Sequence, residues 1–371
     1  MAVDTIAPNS LALTPAEVDA ILVSHYGVGS LGMQPLPSEL SAVYRVALAD
    51  GRDVAFKAIH FTEDDHALAQ WRISAMDHLQ DLGIPAGRTI PSLAGESTAV
   101  ADSPAGPVIA HVGEWLSGVP LEAIPLTPEL LRVVGATGAR AALALAEWPQ
   151  PPAAVSHPWE LVRTLDSLDT SMASVTDPHI SALLTRAREL YAIRVAPVID
   201  ELPRAVVHHD MHDSNLLIDA DRGVVSGVLD FGDMVFGPRI ADLAITAGYA
   251  CRRAADPVVA FIDVASGWGS VWALGEGAEG GGAGASEGAG AAAGSGAGAA
   301  DPFTETEVDV LFASSIGRLA VNLSIWTARS ASDRGDYARA RSASTARALE
   351  LLIAADLGEV DRALREALVA G

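Results

Sequence analysis

Asp210, Asn215 and Asp230 have the residue types and spacing to do chemistry together. All three fall in one stretch, Val206 to Leu243, VVHHDMHDSNLLIDADRGVVSGVLDFGDMVFGPRIADL, which spells D-x-x-x-x-N and then Asp-Phe-Gly. Phosphoryl transfer uses that order. A first Asp accepts the proton of the attacking hydroxyl, while an Asn amide oxygen and a second Asp hold magnesium against nucleotide phosphates. Magnesium takes hard oxygen ligands and keeps several waters, so few side chains suffice. Either half alone is weak, because an Asp-Phe-Gly triplet after an aliphatic strand also makes a plain turn in which Asp caps and Gly takes positive φ. Order, spacing and a lysine far upstream give the pair its weight.

The elements that position these residues are legible as runs. VVH, NLLID and VVSGVLDF are β-branched or aliphatic and are broken by Asp, Asn and Gly, which predicts a strand, a polar loop, a short hairpin and a second polar loop. Upstream, AVYRVALA and DVAFKAIH flank Asp50-Gly51 as two period-2 strands of a hairpin, and Lys57 lies in the second. Lys57 is the only lysine in the chain; every other basic residue is Arg. A lone lysine marks a place where a compact ammonium works and a planar fork does not, such as a grip on phosphates. The position matches the V-A-I-K strand of kinases. The turn Pro37-Ser38-Glu39-Leu40-Ser41 is then the candidate loop over the phosphates, with Ser38 and Ser41 as its polar groups.

Gly27, Gly29 and Gly32 spell G-x-G-x-x-G, but the motif precedes the first clear strand and opens no helix of a βαβ unit, so it is not read as a nucleotide fingerprint. Helical periodicity is expected over Ser10 to Leu22, Glu63 to Leu79, Leu130 to Ala146, Trp159 to Leu168, Ile180 to Leu202, Ile240 to Cys251, Pro257 to Trp268, Glu305 to Ala328, Asp336 to Ala355 and Val360 to Val369. Thr98 to Ala101 and Val108 to Trp115 read as strands. Residues 275–300 are almost all Gly and Ala and read as a disordered surface insert, since they have no large side chain to bury.

The chain of 371 residues carries 47 acidic and 24 basic residues, a formal net charge of −23. That balance disfavours nucleic acid and anionic membrane as partners and suits a cationic small substrate. One cysteine, Cys251, excludes a disulfide framework. The first residues lack a basic segment followed by an apolar one, and a cytoplasmic protein is expected.

With these pieces in place, the chain resembles the aminoglycoside phosphotransferase, or phosphotransferase enzyme, family of kinase-like folds. It looks most like its hydroxylysine kinases and the kinase domains fused to class III aminotransferases. SELSAVYRV, the VAFK lysine, HHDMHDSNLL, SGVLDFGDMVFGPRIADLAI and LFASSIGRLAVNLSIWTARS carry the likeness. It implies a two-lobed α+β fold, with a small antiparallel-sheet nucleotide lobe over 1–111 and a mostly helical catalytic lobe over 112–371. It also implies ATP and Mg2+ as cofactors, Lys57 on the nucleotide phosphates, Asp210 as base, and Asn215 and Asp230 on magnesium. His208 matches the histidine that starts the catalytic loop, and Asp242 an aspartate that braces it. His209 stands where the family has Gly, and Arg72 where kinases carry the Glu that holds the lysine.

The expected activity is phosphorylation of a hydroxyl on a small hydroxylated amine or amino acid, with Asp213 and Asp233 as candidates to bind an ammonium group. Phosphorylation of an aminoglycoside is the alternative, and nucleotide binding without catalysis is an alternative of another class. His208, His209 and His212, with the aspartates among them, also admit a zinc site. Oligomeric state is not legible.

Overall fold

A computed structural model describes residues 11–38, 40–275, 301–329 and 335–369. Glu39 and the Gly/Ala segment at 276–300 lie outside the described residues. The chain divides into two compact units. The first is Met1–Gly118 with Pro151–Val155 and Ser226–Gly232; the second is Val119–Gln150, Ser156–Val225 and Asp233–Gly371.

In the first unit, helix α1 (Pro15–Ile21) starts at a capping box in which Thr14 accepts from the Glu17 N–H and the Glu17 carboxylate accepts from that of Thr14. A π-turn over Leu22–Tyr26 ends at Gly27, whose φ of 71° is the left-handed exit glycine allows. The G-x-G-x-x-G run thus starts at the helix exit and ends inside strand β1 (Ser30–Leu36), which contains Gly32, so it overlaps the first strand and does not precede it. The sheet continues through β2 (Ala42–Leu48), β3 (Asp53–His60), β4 (Ala99–Ala101) and β5 (Val108–Glu114) in the antiparallel order β1-β2-β3-β5-β4. Alternation buries Val46, Leu48, Val54, Phe56, Val108 and Val112 on one face against Val18 and Leu22. Lys57 is therefore on the opposite side of β3 from Phe56. Helix α2 (Glu63–Asp81) follows, capped by Thr62.

The expected boundary at 111 falls inside β5. That strand pairs with β3 at every position from Val108↔His60 to Glu114↔Val54, so the chain leaves the sheet only beyond it.

The second unit is mostly helical: α3 (Pro128–Leu145), α4 (Thr164–Ser171), α5 (Pro178–Arg194), α6 (Ala241–Cys251), α7 (Pro257–Gly275), α8 (Glu305–Arg329), α9 (Gly335–Ala354) and α10 (Leu357–Val369). Its strands are short. β6 (Val119–Pro120) pairs with β8 (Leu216–Asp219), β7 (Arg204–Val207) pairs with β10 (Val235–Pro238), and β9 (Val224–Val228) follows β8. The chain passes from the second unit into the first within β9, at Ser226.

Glycines let α3 and α7 meet backbone to backbone: a Cβ on Gly135 would sit 1.9 Å from the Val264 carbonyl oxygen, and one on Gly267 2.0 Å from that of Arg132. Among the described residues one helix, Glu305–Ala328, is long and apolar enough to cross a membrane by length and composition; 89% of its apolar window is buried inside the structure, as in a core helix.

Candidate active site

Lys57 and Asp230 meet within the first unit. The ammonium donates to Asp230 Oδ1 at 3.0 Å, and the Gly232 N–H donates to the same oxygen at 3.2 Å. The Asp230 backbone is left-handed, with φ 57°, a conformation Asp tolerates better than most side chains. Two bonds tie this segment to the first unit: the Val228 N–H donates to the Pro85 carbonyl at 2.7 Å, and the Ser226 hydroxyl to that of Ser117 at 2.8 Å. The segment Ser226–Gly232, which carries Asp230, clusters with the unit that holds the lysine strand.

Directly across from Lys57 on β5 stands His111. Burial, and then the Lys57 charge, push its pKa down to about 4, so the imidazole is neutral and leaves Lys57 as the local cation. Ser38 and Ser41 lie together in the loop between β1 and β2, with hydroxyl oxygens 2.7 Å apart, and the Ser41 N–H donates to Ser38 Oγ at 3.3 Å.

The second unit holds the Asp210 loop. As β7 ends, the N–H groups of His208 and His209 donate to the two oxygens of Asp242, at 3.0 and 2.7 Å, from the first turn of α6. Asp242 is wholly buried, and burial pushes its carboxyl up to about 6 against the pull of those two donors. His209 takes φ 65°, the left-handed region that favours glycine and costs another residue about 1–2 kcal/mol. Its Nε2 accepts from the Leu161 N–H at 3.3 Å, and burial holds its pKa well below the usual histidine range. The loop thus keeps the backbone a glycine would give, held by the Asp242 and Leu161 contacts.

Asn215 donates its amide to Asp210 Oδ2 at 2.7 Å and to the Asp210 carbonyl at 3.0 Å. Both contacts are to acceptors, which assigns Nδ2 to them and leaves the amide oxygen as the end that suits a cation. The Asp210 side chain is 16% exposed. His212 Nε2 lies 3.6 Å from its Oδ2, and an Arg318 guanidinium nitrogen 3.5 Å from its Oδ1.

Asp213 departs from expectation. Its side chain is 1% exposed and pairs at 2.7 Å with Arg252, itself 2% exposed. Its carboxylate is taken up inside the fold, where it braces the loop. The Ser214 hydroxyl, donating to Glu122 at 2.9 Å, and the Glu122 N–H, donating to the Asp213 carbonyl at 3.0 Å, complete that brace. Asp233 is half-buried on the short turn Phe231–Asp233, with its carbonyl 3.3 Å from His157 Nε2.

The zinc reading is not supported. His208 accepts the Asp210 N–H, His209 meets Leu161, and His212 stacks on Tyr249 at 5.3 Å. Among the described residues no group of three or more His, Cys, Asp or Glu is placed to hold a metal. Taken separately, Asp230 of the first unit offers a carboxylate and Asn215 of the second an amide oxygen, each a hard-oxygen donor of the kind magnesium takes. Sequence reasoning missed Arg252 and Arg318. Arg318 stands as a lone charge in the apolar run SSIGRLAVNL, which was the available signal, whereas Arg252, beside Arg253 at the end of α6, gave none.

The chain matches the model of the phosphotransferase enzyme family over residues 32–278. It is 26% identical over 275 residues to hydroxylysine kinase of Danio rerio, covering 71% of this chain and 78% of that protein. It is 21% identical over 281 residues to hydroxylysine kinase of Mus musculus, covering 70% and 74%. Among solved structures, a microcompartment-associated aminopropanol kinase superposes with a TM-score of 0.64 at 15% identity, over 91% of this chain and 97% of that one. An amicoumacin kinase bound to AMP-PNP and Ca2+ gives 0.58 at 15% identity, over 88% and 91%. These likenesses establish the kinase-like α+β fold.

Proposed function

The chain belongs to the phosphotransferase enzyme family, and from that premise we propose that it transfers the terminal phosphoryl group of ATP to a hydroxyl of a small hydroxylated amine or amino acid. The observation that carries this reading is the pairing of the chain's only lysine with the aspartate of Asp-Phe-Gly, 173 positions away in sequence, at 3.0 Å. The contact brings together an ammonium suited to gripping phosphates and a carboxylate suited to holding a metal.

The residues divide the work. Asp210 accepts the proton of the acceptor hydroxyl through a carboxylate that is partly exposed and held by Asn215. Lys57 places a compact positive charge on the phosphates, and the Ser38 and Ser41 hydroxyls offer donors beside them. Asp242 fixes the path of the loop that carries Asp210. Bound magnesium would neutralise charge on the phosphate oxygens, with Asp230 and the Asn215 amide oxygen as its protein donors.

The substrate class draws on the names of the relatives, hydroxylysine kinase and aminopropanol kinase, whose acceptors each join a hydroxyl to an amine. Asp233 is the acidic side chain assigned to the ammonium group, since Asp213 is taken up by Arg252. The net charge of −23 agrees with a cationic acceptor. The proposed location is the cytoplasm, where ATP is made.

A coupled ADP-release screen tests the reading, with magnesium-ATP against hydroxylysine, ethanolamine-like amines, homoserine, choline and several aminoglycosides. Turnover on a small hydroxy-amine is expected. Turnover on aminoglycosides alone would replace the substrate class, and silence across the panel would overturn it.

A further inference from the structure

Arg318 is the group at the Asp210 carboxylate that no motif explains. It lies midway along α8 in the run SSIGRLAVNL, where it is the only charge. Its side chain is 3% exposed. One terminal nitrogen stands 3.5 Å from Asp210 Oδ1, and the other donates to the Trp159 carbonyl at 3.0 Å. The guanidinium carbon lies 4.9 Å over the Trp159 ring and 5.8 Å over that of Tyr249.

Burying a guanidinium costs several kcal/mol unless its charge and its donors are met. Among the described residues the carboxylate at ion-pair distance from it is that of Asp210. The helix is also held tightly at this point. A Cβ on the preceding Gly317 would sit 2.4 Å from the Tyr191 ring, and the Ser315 hydroxyl donates to the Ala244 carbonyl of α6 at 2.8 Å. Packing therefore fixes the cation along the α8 axis before it meets its partner.

The two oxygens of Asp210 are consequently divided. Asn215 donates to Oδ2, and Arg318 faces Oδ1. One anchor alone leaves the carboxylate free to turn about its Cβ–Cγ bond, whereas anchors on both oxygens fix its plane. A general base works only when an oxygen is aimed within hydrogen-bond reach of the proton it takes. We infer that Arg318 is the positioning residue of the base, acting through the Asp210 carboxylate and not on the nucleotide. This rests on the assignment of Asp210 as the base.

The test is a double-mutant cycle of Arg318→Gln with Asp210→Asn, run with magnesium-ATP and the best acceptor of the ADP-release panel. Melting temperatures establish that each variant is folded. Arg318→Gln is expected to lower kcat by about 10- to 100-fold, the scale of a displaced catalytic group, while KM for ATP stays within about twofold. Arg318→Lys should recover part of the loss, because an ammonium can face Oδ1 but does not stack and donate as the fork does. In the Asp210→Asn background, Arg318→Gln should cost less than about threefold more. Full additivity in the double mutant, or a loss expressed in KM for ATP, would overturn the inference and leave the base assignment standing. Full activity of Asp210→Asn would refute both. If Arg318→Gln does not fold, the cycle is run with Arg318→Lys, where coupling to Asp210→Asn supports the inference and additivity overturns it.

Discussion

Lys57→Met removes an ammonium and keeps most of its stem. The ion pair it breaks is 3.0 Å long, between side chains 39% and 50% exposed. Two unit charges at that distance attract by about 1.4 kcal/mol in water, and fixing two flexible side chains takes much of that back, so an exposed pair nets about 0–1 kcal/mol. The unfolding free energy should therefore fall by no more than about 1 kcal/mol. Turnover should behave otherwise. A charge preorganised at a phosphoryl group is worth about 3–4 kcal/mol in the transition state, which predicts a loss of about 10²–10³-fold in kcat/KM. Lys57→Arg keeps the charge but changes its shape and should still lose at least about tenfold.

Urea unfolding followed by tryptophan fluorescence gives the first quantity, and coupled ADP release the second. His111 adds an internal check. Its depressed pKa comes first from burial and then from Lys57, so Lys57→Met should raise it while burial keeps it below the ordinary histidine value. A variant that loses more than about 2 kcal/mol of stability yet keeps kcat/KM would make Lys57 a structural residue and end its assignment to the phosphates.

The Asp210→Asn variant should lose at least about a hundredfold in turnover while binding ATP as the parent does, by nucleotide titration; a fully active variant would end the base assignment. Asp242 has a folded pKa of about 6 against an unfolded value near 3.9, so its protonation stabilises the fold below about pH 4, and that contribution is lost as pH rises through 6. The stability gap between the parent and Asp242→Asn should accordingly widen by about 2–3 kcal/mol from pH 7 to pH 4 in urea titrations, and a gap that narrows would contradict the sign. Gly135→Ala, which places a Cβ 1.9 Å from the Val264 carbonyl oxygen, should cost at least about 2 kcal/mol, while Gly32→Ala, with nothing within 4 Å, should change little. Arg252→Met leaves Asp213 buried without its guanidinium and should cost about 3–5 kcal/mol; adding Asp213→Leu should restore most of it.

The strand that carries Lys57 was legible because period-2 alternation and a two-residue Asp-Gly turn are local signals, and the aliphatic runs before Asp210 and Asp230 likewise gave β7 and β9. What was not legible depends on contacts distant in sequence. Asp213 looks like a substrate ligand in a loop string, and only the arrival of Arg252 from the end of α6 buries it. Arg318 lies 108 positions from Asp210, with no periodic feature to announce it. Asp230 was expected in the helical lobe with its sequence neighbours, and the bond it accepts from Lys57 on β3, 173 positions away, is not legible in the chain. His209, read as a departure from glycine, takes the glycine conformation, because two residues outside the motif hold it there.

Phosphorus NMR of a reaction mixture of purified protein, magnesium-ATP and hydroxylysine follows the phosphoryl group itself. A new phosphomonoester resonance should grow as the terminal ATP signal falls, and should be absent with Asp210→Asn. Growth of free phosphate alone, or an unchanged ATP spectrum across every hydroxylated amine of the panel, would contradict transfer to a hydroxyl.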